Sequence, residues 1–283
     1  MTAVLDRPLP TPAAGRVFVR AARAGELLDG GGPLWWHVRE DGGLCLVHRF
    51  TAADISDDAL VAALSLLVDI GALAGQDEFE AAAVQIILSS APTAVEAWDA
   101  FYDNTLRGLT DGTSAFAPIH RRARSLVTGG SVLEVGSCFG FLAIQLARDG
   151  RTVAACDLSR GAVSLLHHES RRYGLPISSR VADATALSYD DSSFDTVTLI
   201  HLLEHLEDDQ AVAAIREALR VARRAVVIAV PFEETPSEHF GHQQNLETAT
   251  LRQWAEEVPH AGAQVFEDHG GWLLLSSVGF GRG

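Results

Sequence analysis

The chain has 283 residues, 47% of them hydrophobic, which suits one large domain or a core of about 160 residues with a smaller extension. Its formal charge of −15 excludes unaided binding of a nucleic-acid backbone. All 22 basic residues are arginine, which excludes Schiff-base and pyridoxal chemistry, the Walker A lysine and the kinase lysine. No apolar run approaches the ~18 residues of a membrane span and the start lacks a signal peptide's apolar centre, so a cytoplasmic protein is expected, with no nucleic-acid or membrane partner. Cys45, Cys138 and Cys156 are scattered and odd in number, which leaves neither a disulfide framework nor a C-x-x-C metal knuckle.

Residues 1–15, with Pro8, Pro10 and Pro12, read as a flexible lead-in. From 16 to 50 the pattern is β-like: RVFVR at 16–20 alternates, and LWWHVR at 34–39 pairs with LCLVHRF at 44–50 across the Asp41-Gly42-Gly43 turn as a hairpin. Trp35 and Trp36 read as one core and one surface tryptophan, or else as a stacking platform for a sugar or ring. A helix is predicted over Ser56–Leu73, capped by Ser56, with Leu60, Leu64 and Leu67 on one face and Gly71 closing it. Two more follow at about 78–88 and 95–106. Residues 16–112 thus form a small mixed α/β extension for substrate or partner recognition, with Asp111-Gly112 as the joint to a second domain at 113–283.

The second domain opens with a helix over 118–127 and then SVLEVGSCFG at 131–140 followed by FLAI, which reads as buried strand, tight turn and helix. A dinucleotide site wants G-x-G-x-x-G, but the second and third glycines would fall on Cys138 and Phe141, so the NAD reading fails. TVAA at 152–155 is a strand ending at Cys156-Asp157, a helix spans 161–173, and a strand at 178–182 ends at Asp183. FDTVTLI at 194–200 is a strand with a polar end at His201, 209–222 is a helix, AVVIAV at 225–230 is a strand stopped by Pro231, and 264–268 with 272–276 close the domain as an antiparallel pair. This alternation predicts an α/β fold with a parallel sheet and helices on both faces. Ligands of such sheets lie outside the carboxyl ends of the strands, where this chain places Asp157, Asp183-Ala184 and His201.

Glu134 two residues before Gly136, and the Gly136 to Gly140 spacing, resemble motif I (E/D-x-G-x-G-x-G) of the class I S-adenosylmethionine-dependent methyltransferases. Cys138 stands where the middle glycine would be, and a positive φ there costs more than with glycine. FDTVTLIHLLEHL at 194–206 resembles the post-motif region of small-molecule members, including the ubiquinone and menaquinone types. The resemblance covers about residues 116–276. It implies a Rossmann-like seven-stranded sheet and S-adenosyl-L-methionine as cofactor, with Glu134 and Gly136 near the methionine moiety, Asp157 on the ribose and Asp183 with Ala184 at the adenine. Ser137, Cys138, Gly140, Leu158 and His201 complete the implied cofactor-binding set.

His201-Leu-Leu-Glu204-His205 also matches the H-x-x-E-H pattern of inverted zinc peptidases, but that motif belongs on a long helix and here follows a buried strand. Three readings stay open: Glu204 and His205 cap the loop beneath the cofactor, His205 is a general base, or Glu204 and His205 hold a divalent ion with His239 or His242. The catalytic set is taken as His205, Glu204 and His242, with no metal. The loop PFEETPSEHFGHQQNL at 231–246 is long and polar and is read as a substrate wall.

GGSVLEVGSCFGFLAIQLA, the EHL block and GHQQNLETATLRQW, with the N-terminal extension, look like the methyltransferase family of mycofactocin biosynthesis. That resemblance implies methylation of a glucose hydroxyl on an oligosaccharide tail. O- or C-methylation of a quinone or other secondary metabolite is the alternative within the class. From another class, the domain would be a catalytically silent scaffold whose extension binds a peptide or protein partner. A small-molecule or oligosaccharide acceptor is the expected partner, and the chain itself is expected as a homodimer.

Overall fold

The structure is a computed structural model that describes residues 17–26 and 32–278; the lead-in expected at 1–15 lies outside them. The chain divides into two compact units, Met1–Ala117 with Glu238–Gly241, and Pro118–Ser237 with His242–Gly283.

In the first unit, β1 (Val17–Ala21), β2 (Leu34–Val38) and β3 (Leu44–His48) form a sheet in the order β1-β3-β2. β3 lies parallel to β1 and antiparallel to β2, so the expected hairpin forms, with Trp36 opposite Leu46. The central strand is buried along its whole length. The tryptophans correct the expectation: Trp35 is half-buried and Trp36 is 36% exposed, so neither enters the core. β2 is an edge strand, and packing against one neighbour leaves it mostly exposed.

Three helices follow, α1 (Asp57–Asp69), α2 (Gly75–Ser89) and α3 (Ala94–Asp111). The Ser56 hydroxyl accepts the Ala59 N–H at 3.3 Å and caps α1. Gln85 of α2 ties itself to β1, accepting the Val19 N–H and donating to the Val17 carbonyl. Thr93 and Glu96 form a reciprocal capping box that starts α3, and Gly112, at φ 80, is its left-handed end. The third helix therefore runs past its expected end at 106. Asp111-Gly112 is a helix terminus, and the two units divide after Ala117.

In the second unit, α4 (Ala117–Leu126) leads into β4 (Ser131–Val135), α5 (Phe141–Arg148), β5 (Thr152–Asp157), α6 (Arg160–Arg172), β6 (Ser178–Val181) and β7 (Phe194–Ile200). A short 3₁₀ turn (Leu203–His205) precedes α7 (Asp208–Val221) and β8 (Ala222–Val230), and the chain ends in α8 (Thr248–Glu257), β9 (Gly262–Glu267) and β10 (Gly271–Ser276). The sheet has seven strands in the order β6-β5-β4-β7-β8-β10-β9. The first five are parallel, and β10 pairs antiparallel with β8 and β9. The seven-stranded α/β fold with its antiparallel closing pair agrees with expectation. The order reverses between β4 and β7, and the carboxyl ends of β4, β5 and β7 open onto one crevice.

α8 is a helix that the sequence reading did not contain. Its buried stripe is only Leu251, Trp254 and Ala255, at i, i+3 and i+4, within an otherwise polar run. Trp254 is fully buried and donates its indole N–H to Asp208 at 2.8 Å.

The glycine corner depends on close approach. Gly140 has φ 73, and a Cβ there would sit 2.4 Å from the Leu166 side chain. Gly140→Ala combines the left-handed penalty with overpacking, and an expected loss of about 2 to 4 kcal/mol should appear in urea unfolding. A loss under about 1 kcal/mol would mean that the corner yields to side chains.

Candidate active site

The crevice is built from strand ends. β4 ends in a tight turn in which Gly136 (φ 69) and Cys138 (φ 47) both have positive φ. Ser137 donates its N–H to the Cys156 carbonyl, and Gly140 donates its own to the Ser137 carbonyl. A Cβ on Gly136 would lie 2.6 Å from Leu202, so this glycine is required by close packing as well as by its φ. Cys138 tolerates the left-handed conformation because its N–H is tied to Asp157 Oδ2 at 2.8 Å.

Asp157 ends β5, and its other oxygen accepts the Ser159 N–H at 2.7 Å. Each carboxylate oxygen retains a lone pair, which is what a pair of vicinal hydroxyls needs. Leu158 beside it is 68% exposed and offers an apolar face at the crevice. Asp183 follows β6. It accepts the Thr185 N–H and hydroxyl on Oδ1, and these bonds hold its carboxyl below the usual value. Ala184 adjoins it, half-buried.

Glu134, on β4, is 5% exposed, and burial pushes its carboxyl up to about 8 despite a bond from the Ala143 N–H; the Asp157 carboxylate pushes the same way. Its Oε2 has no hydrogen-bond partner, nor has the buried hydroxyl of Ser137. A cationic ligand would supply the charge that this carboxyl lacks. An adenosyl sulfonium with an ammonium group therefore fits the corner.

The second half of the crevice follows β7. His201 has φ 53 and donates its N–H to the Ala229 carbonyl, and burial, with the neighbouring histidines, lowers its imidazole to about 4. Glu204, 1% exposed, is pushed up to about 8 by burial. The 3.4 Å contact between His201 Nδ1 and Glu204 Oε1 therefore joins two neutral groups near pH 7 and is not an ion pair. Both Glu204 oxygens lack hydrogen-bond partners.

One ligand atom each from Glu204, His205 and His242 lie within 4.8 Å of one another, and the His205 and His242 rings meet edge-on at 5.0 Å. His239, weighed as an alternative ligand, packs its ring against Phe79 and Phe240 in the first unit instead. The cluster adds a residue that the sequence reading missed. Glu233 Oε2 accepts from His242 Nδ1 at 2.7 Å and its Oε1 accepts from the Ser237 hydroxyl. Burial raises the Glu233 carboxyl, but these bonds outweigh it and leave it below the usual value. The only sequence signal was a pair of acids directly after Pro231-Phe232, and nothing in their spacing points to His242. Leu202 lies against Gly136, so the histidine cluster directly adjoins the glycine corner.

Residues 132–225 match the family model described as a methyltransferase domain. The chain carries a methyltransferase domain. It is of the class I, S-adenosylmethionine-dependent kind. The chain is 35% identical over 108 residues to the demethylmenaquinone methyltransferase of Beutenbergia cavernae, covering 38% of this chain and 42% of that one. It is 31% identical over 112 residues to the ubiquinone biosynthesis O-methyltransferase of Ralstonia nicotianae, covering 36% and 47%. The match thus spans less than half the length of these curated relatives. A crystal structure of a SAM-dependent methyltransferase from Methanosarcina mazei superposes with a TM-score of 0.47 at 16% identity, over 56% of this chain and 97% of that one. The methyltransferase domain's matched segment runs from β4 into β8 and so contains both halves of the crevice except Glu233 and His242. No helix among the described residues is long and apolar enough to cross a membrane.

Proposed function

We propose that this chain transfers a methyl group from S-adenosylmethionine to a hydroxyl of a small molecule or glycan. The observation that carries the reading is the Glu233–His242 pair at 2.7 Å, set in a cluster that adjoins the glycine corner through Leu202. When bound, S-adenosylmethionine supplies an electrophilic methyl on a sulfonium. The chain's part is binding, orientation and proton handling. Asp157 and Asp183 present carboxylates to the nucleoside, Leu158 offers it an apolar face, and Glu134 meets the cationic end. His242 donates its Nδ1–H to Glu233, which leaves the Nε2 lone pair to take the acceptor hydroxyl's proton, and Glu233 then stabilises the imidazolium. Glu204, protonated near neutrality, donates a hydrogen bond into the same space, and the His205 ring steadies His242.

A neutral glycan, such as a glucose hydroxyl on the oligosaccharide tail of mycofactocin, is the proposed acceptor. Its support is the sequence resemblance together with an acidic, lysine-free chain that offers little to polyanions. The names of the curated relatives favour a quinone as the second reading.

Titration calorimetry with S-adenosylmethionine and with NAD, each with and without EDTA, is the test. Micromolar binding of S-adenosylmethionine alone is expected. Glu233→Gln should leave that binding intact while turnover on the glucosylated acceptor falls about 10²- to 10⁴-fold. Binding of NAD, or of neither ligand, sinks the reading. Turnover that EDTA abolishes and Mg²⁺ restores would make Glu204, His205 and His242 cation ligands instead of proton carriers.

A further inference from the structure

The loop at 231–246 leaves the second unit and returns to it. Its residues Glu238–Gly241 belong to the first unit, while Glu233, Ser237 and His242 on either side belong to the second. The two ends of this excursion are joined at a neck. Ser237 donates its hydroxyl to Glu233 Oε1 at 2.7 Å and its N–H to Oε2 at 3.2 Å. His242 donates Nδ1–H to the same Oε2 at 2.7 Å, and its backbone N–H reaches the Ser237 carbonyl at 3.3 Å. One carboxylate therefore closes the neck and orients the imidazole.

The tip is a single 3₁₀ turn, Glu238–Phe240, and its fixed point is α2. Phe79, 7% exposed, meets the Phe240 ring edge-on with centroids 5.3 Å apart, and meets the His239 ring at the same distance. His239 and Phe240 also pack on each other at 4.1 Å. Gly241 follows with φ 78, and a Cβ there would run into the Gln76 amide. Glu80 steadies that amide, accepting from Gln76 Nε2 at 2.7 Å. Gly241 immediately precedes His242, so the point at which the chain re-enters the second unit is set by a backbone seated on Gln76.

Neck and tip divide the energetics. Hydrogen bonds that water can replace add little net free energy, and a long loop without regular structure loses much conformational entropy when it is ordered. Apolar burial has to offset that loss. Phe240 is the only large apolar side chain between Glu233 and His242, so between these two residues the offset comes from the ring cluster on Phe79.

We propose, on the reading of Glu233 and His242 as the proton-carrying pair, that Phe79 and Gln76 of α2 are positioning residues for methyl transfer. By seating Phe240 and Gly241 they fix the backbone at His242 and thereby its bond to Glu233. The first unit thus serves turnover, while Glu134, Asp157 and Asp183, which meet the cofactor in that reading, are carried by the second unit.

The test follows the His242 Nδ1 proton in the full chain, ¹⁵N-labelled at histidine and free of S-adenosylmethionine. Glu233→Gln identifies the resonance by displacing it. In the wild type this proton should lie downfield and be protected from exchange with water. Phe240→Ala and Phe79→Leu should each speed its exchange at least about tenfold and leave S-adenosylmethionine affinity within about threefold. Both should lower kcat about ten- to 10²-fold, as a displaced catalytic group does, with turnover read as S-adenosylhomocysteine formed from cellobiose or from a catechol. Gln76→Ala should act in the same direction by about threefold or more. Phe240 is half-buried on a loop, so its alanine variant decides the matter if Phe79→Leu unfolds. Unchanged exchange in Phe240→Ala overturns the proposal, as does a wild type without a protected proton. A loss of cofactor affinity that keeps step with the loss of kcat does so as well. Faster exchange with turnover undiminished upholds the seating of His242 and sinks the pair as proton carrier, so the two failures are told apart.

Discussion

Asp157→Ala is expected to abolish S-adenosylmethionine binding in calorimetry and to lower turnover by at least about 10²-fold, because this carboxylate serves the corner twice. It is the carboxylate proposed to meet the nucleoside hydroxyls, and it also holds the turn, accepting from Cys138 N–H on one oxygen and Ser159 N–H on the other. Cys138, with φ 47, is a non-glycine residue in a region that costs about 1 to 2 kcal/mol for an ordinary side chain. The bond to Asp157 offsets that strain. The alanine variant should therefore also lose about 1 to 2 kcal/mol of stability, seen as a shifted urea midpoint with the slope unchanged. Cys138→Gly is the control. It relieves the strain but adds about 0.5 to 1 kcal/mol of chain entropy to the unfolded state, so it should change stability by no more than about 1 kcal/mol and keep cofactor binding. If Asp157→Ala binds S-adenosylmethionine as the wild type does, the crevice is not a nucleoside site.

The residues of the corner were legible because each lies at or near the carboxyl end of a short strand. Glu134, Asp157, Asp183 and His201 stand at breaks between apolar runs and polar turns, and a parallel sheet must bring such breaks to one edge. Glu233 was not legible, because its partner His242 lies nine residues away across a loop with no periodicity. His48 was read as one more strand residue. Its burial follows from β3 being the centre of a three-stranded sheet, and strand order within a sheet leaves no trace in local sequence. The same reason defeats the expectation for Trp35 and Trp36, whose exposure follows from β2 lying at the edge. α8 was missed because three buried apolar positions in ten residues are too few to set a helical period against Thr248, Thr250 and the flanking charges.

The buried titratable groups predict that the apoprotein, in EDTA, is most stable near pH 6.5 and weakens on both sides. His48, His120 and His201 all have folded values of about 4, lowered chiefly by burial. His120 is further set by a bond to Gln145, which raises it, and by Arg124, which lowers it. In each case the unfolded histidine binds its proton first as pH falls from 6.5, so the stability of the neutral buried form is lost between 6.5 and 4. Glu134 and Glu204 behave oppositely. Their folded values of about 8 lie above the unfolded value, so their contribution is full below about 4.5 and is lost as pH rises to 8. At about 1.4 kcal/mol per proton and pH unit, the three histidines are balanced below pH 6 by Glu134, Glu204 and Asp57, whose carboxyl burial pushes up to about 6. Stability is therefore nearly level there and rises only between about 6 and 6.5, and the two glutamates alone give a fall of about 3 kcal/mol per unit from 6.5 to 8. Urea unfolding across this range checks both limbs, and Glu134→Gln or Glu204→Gln should each halve the alkaline slope. An alkaline limb that either variant leaves unchanged would show that its carboxyl is ionised in the folded protein. The same linkage reaches function through Glu134. A cationic ligand must displace its proton, so S-adenosylmethionine affinity should rise toward tenfold per pH unit up to about 8, and Glu134→Gln should remove that dependence while weakening binding at pH 8.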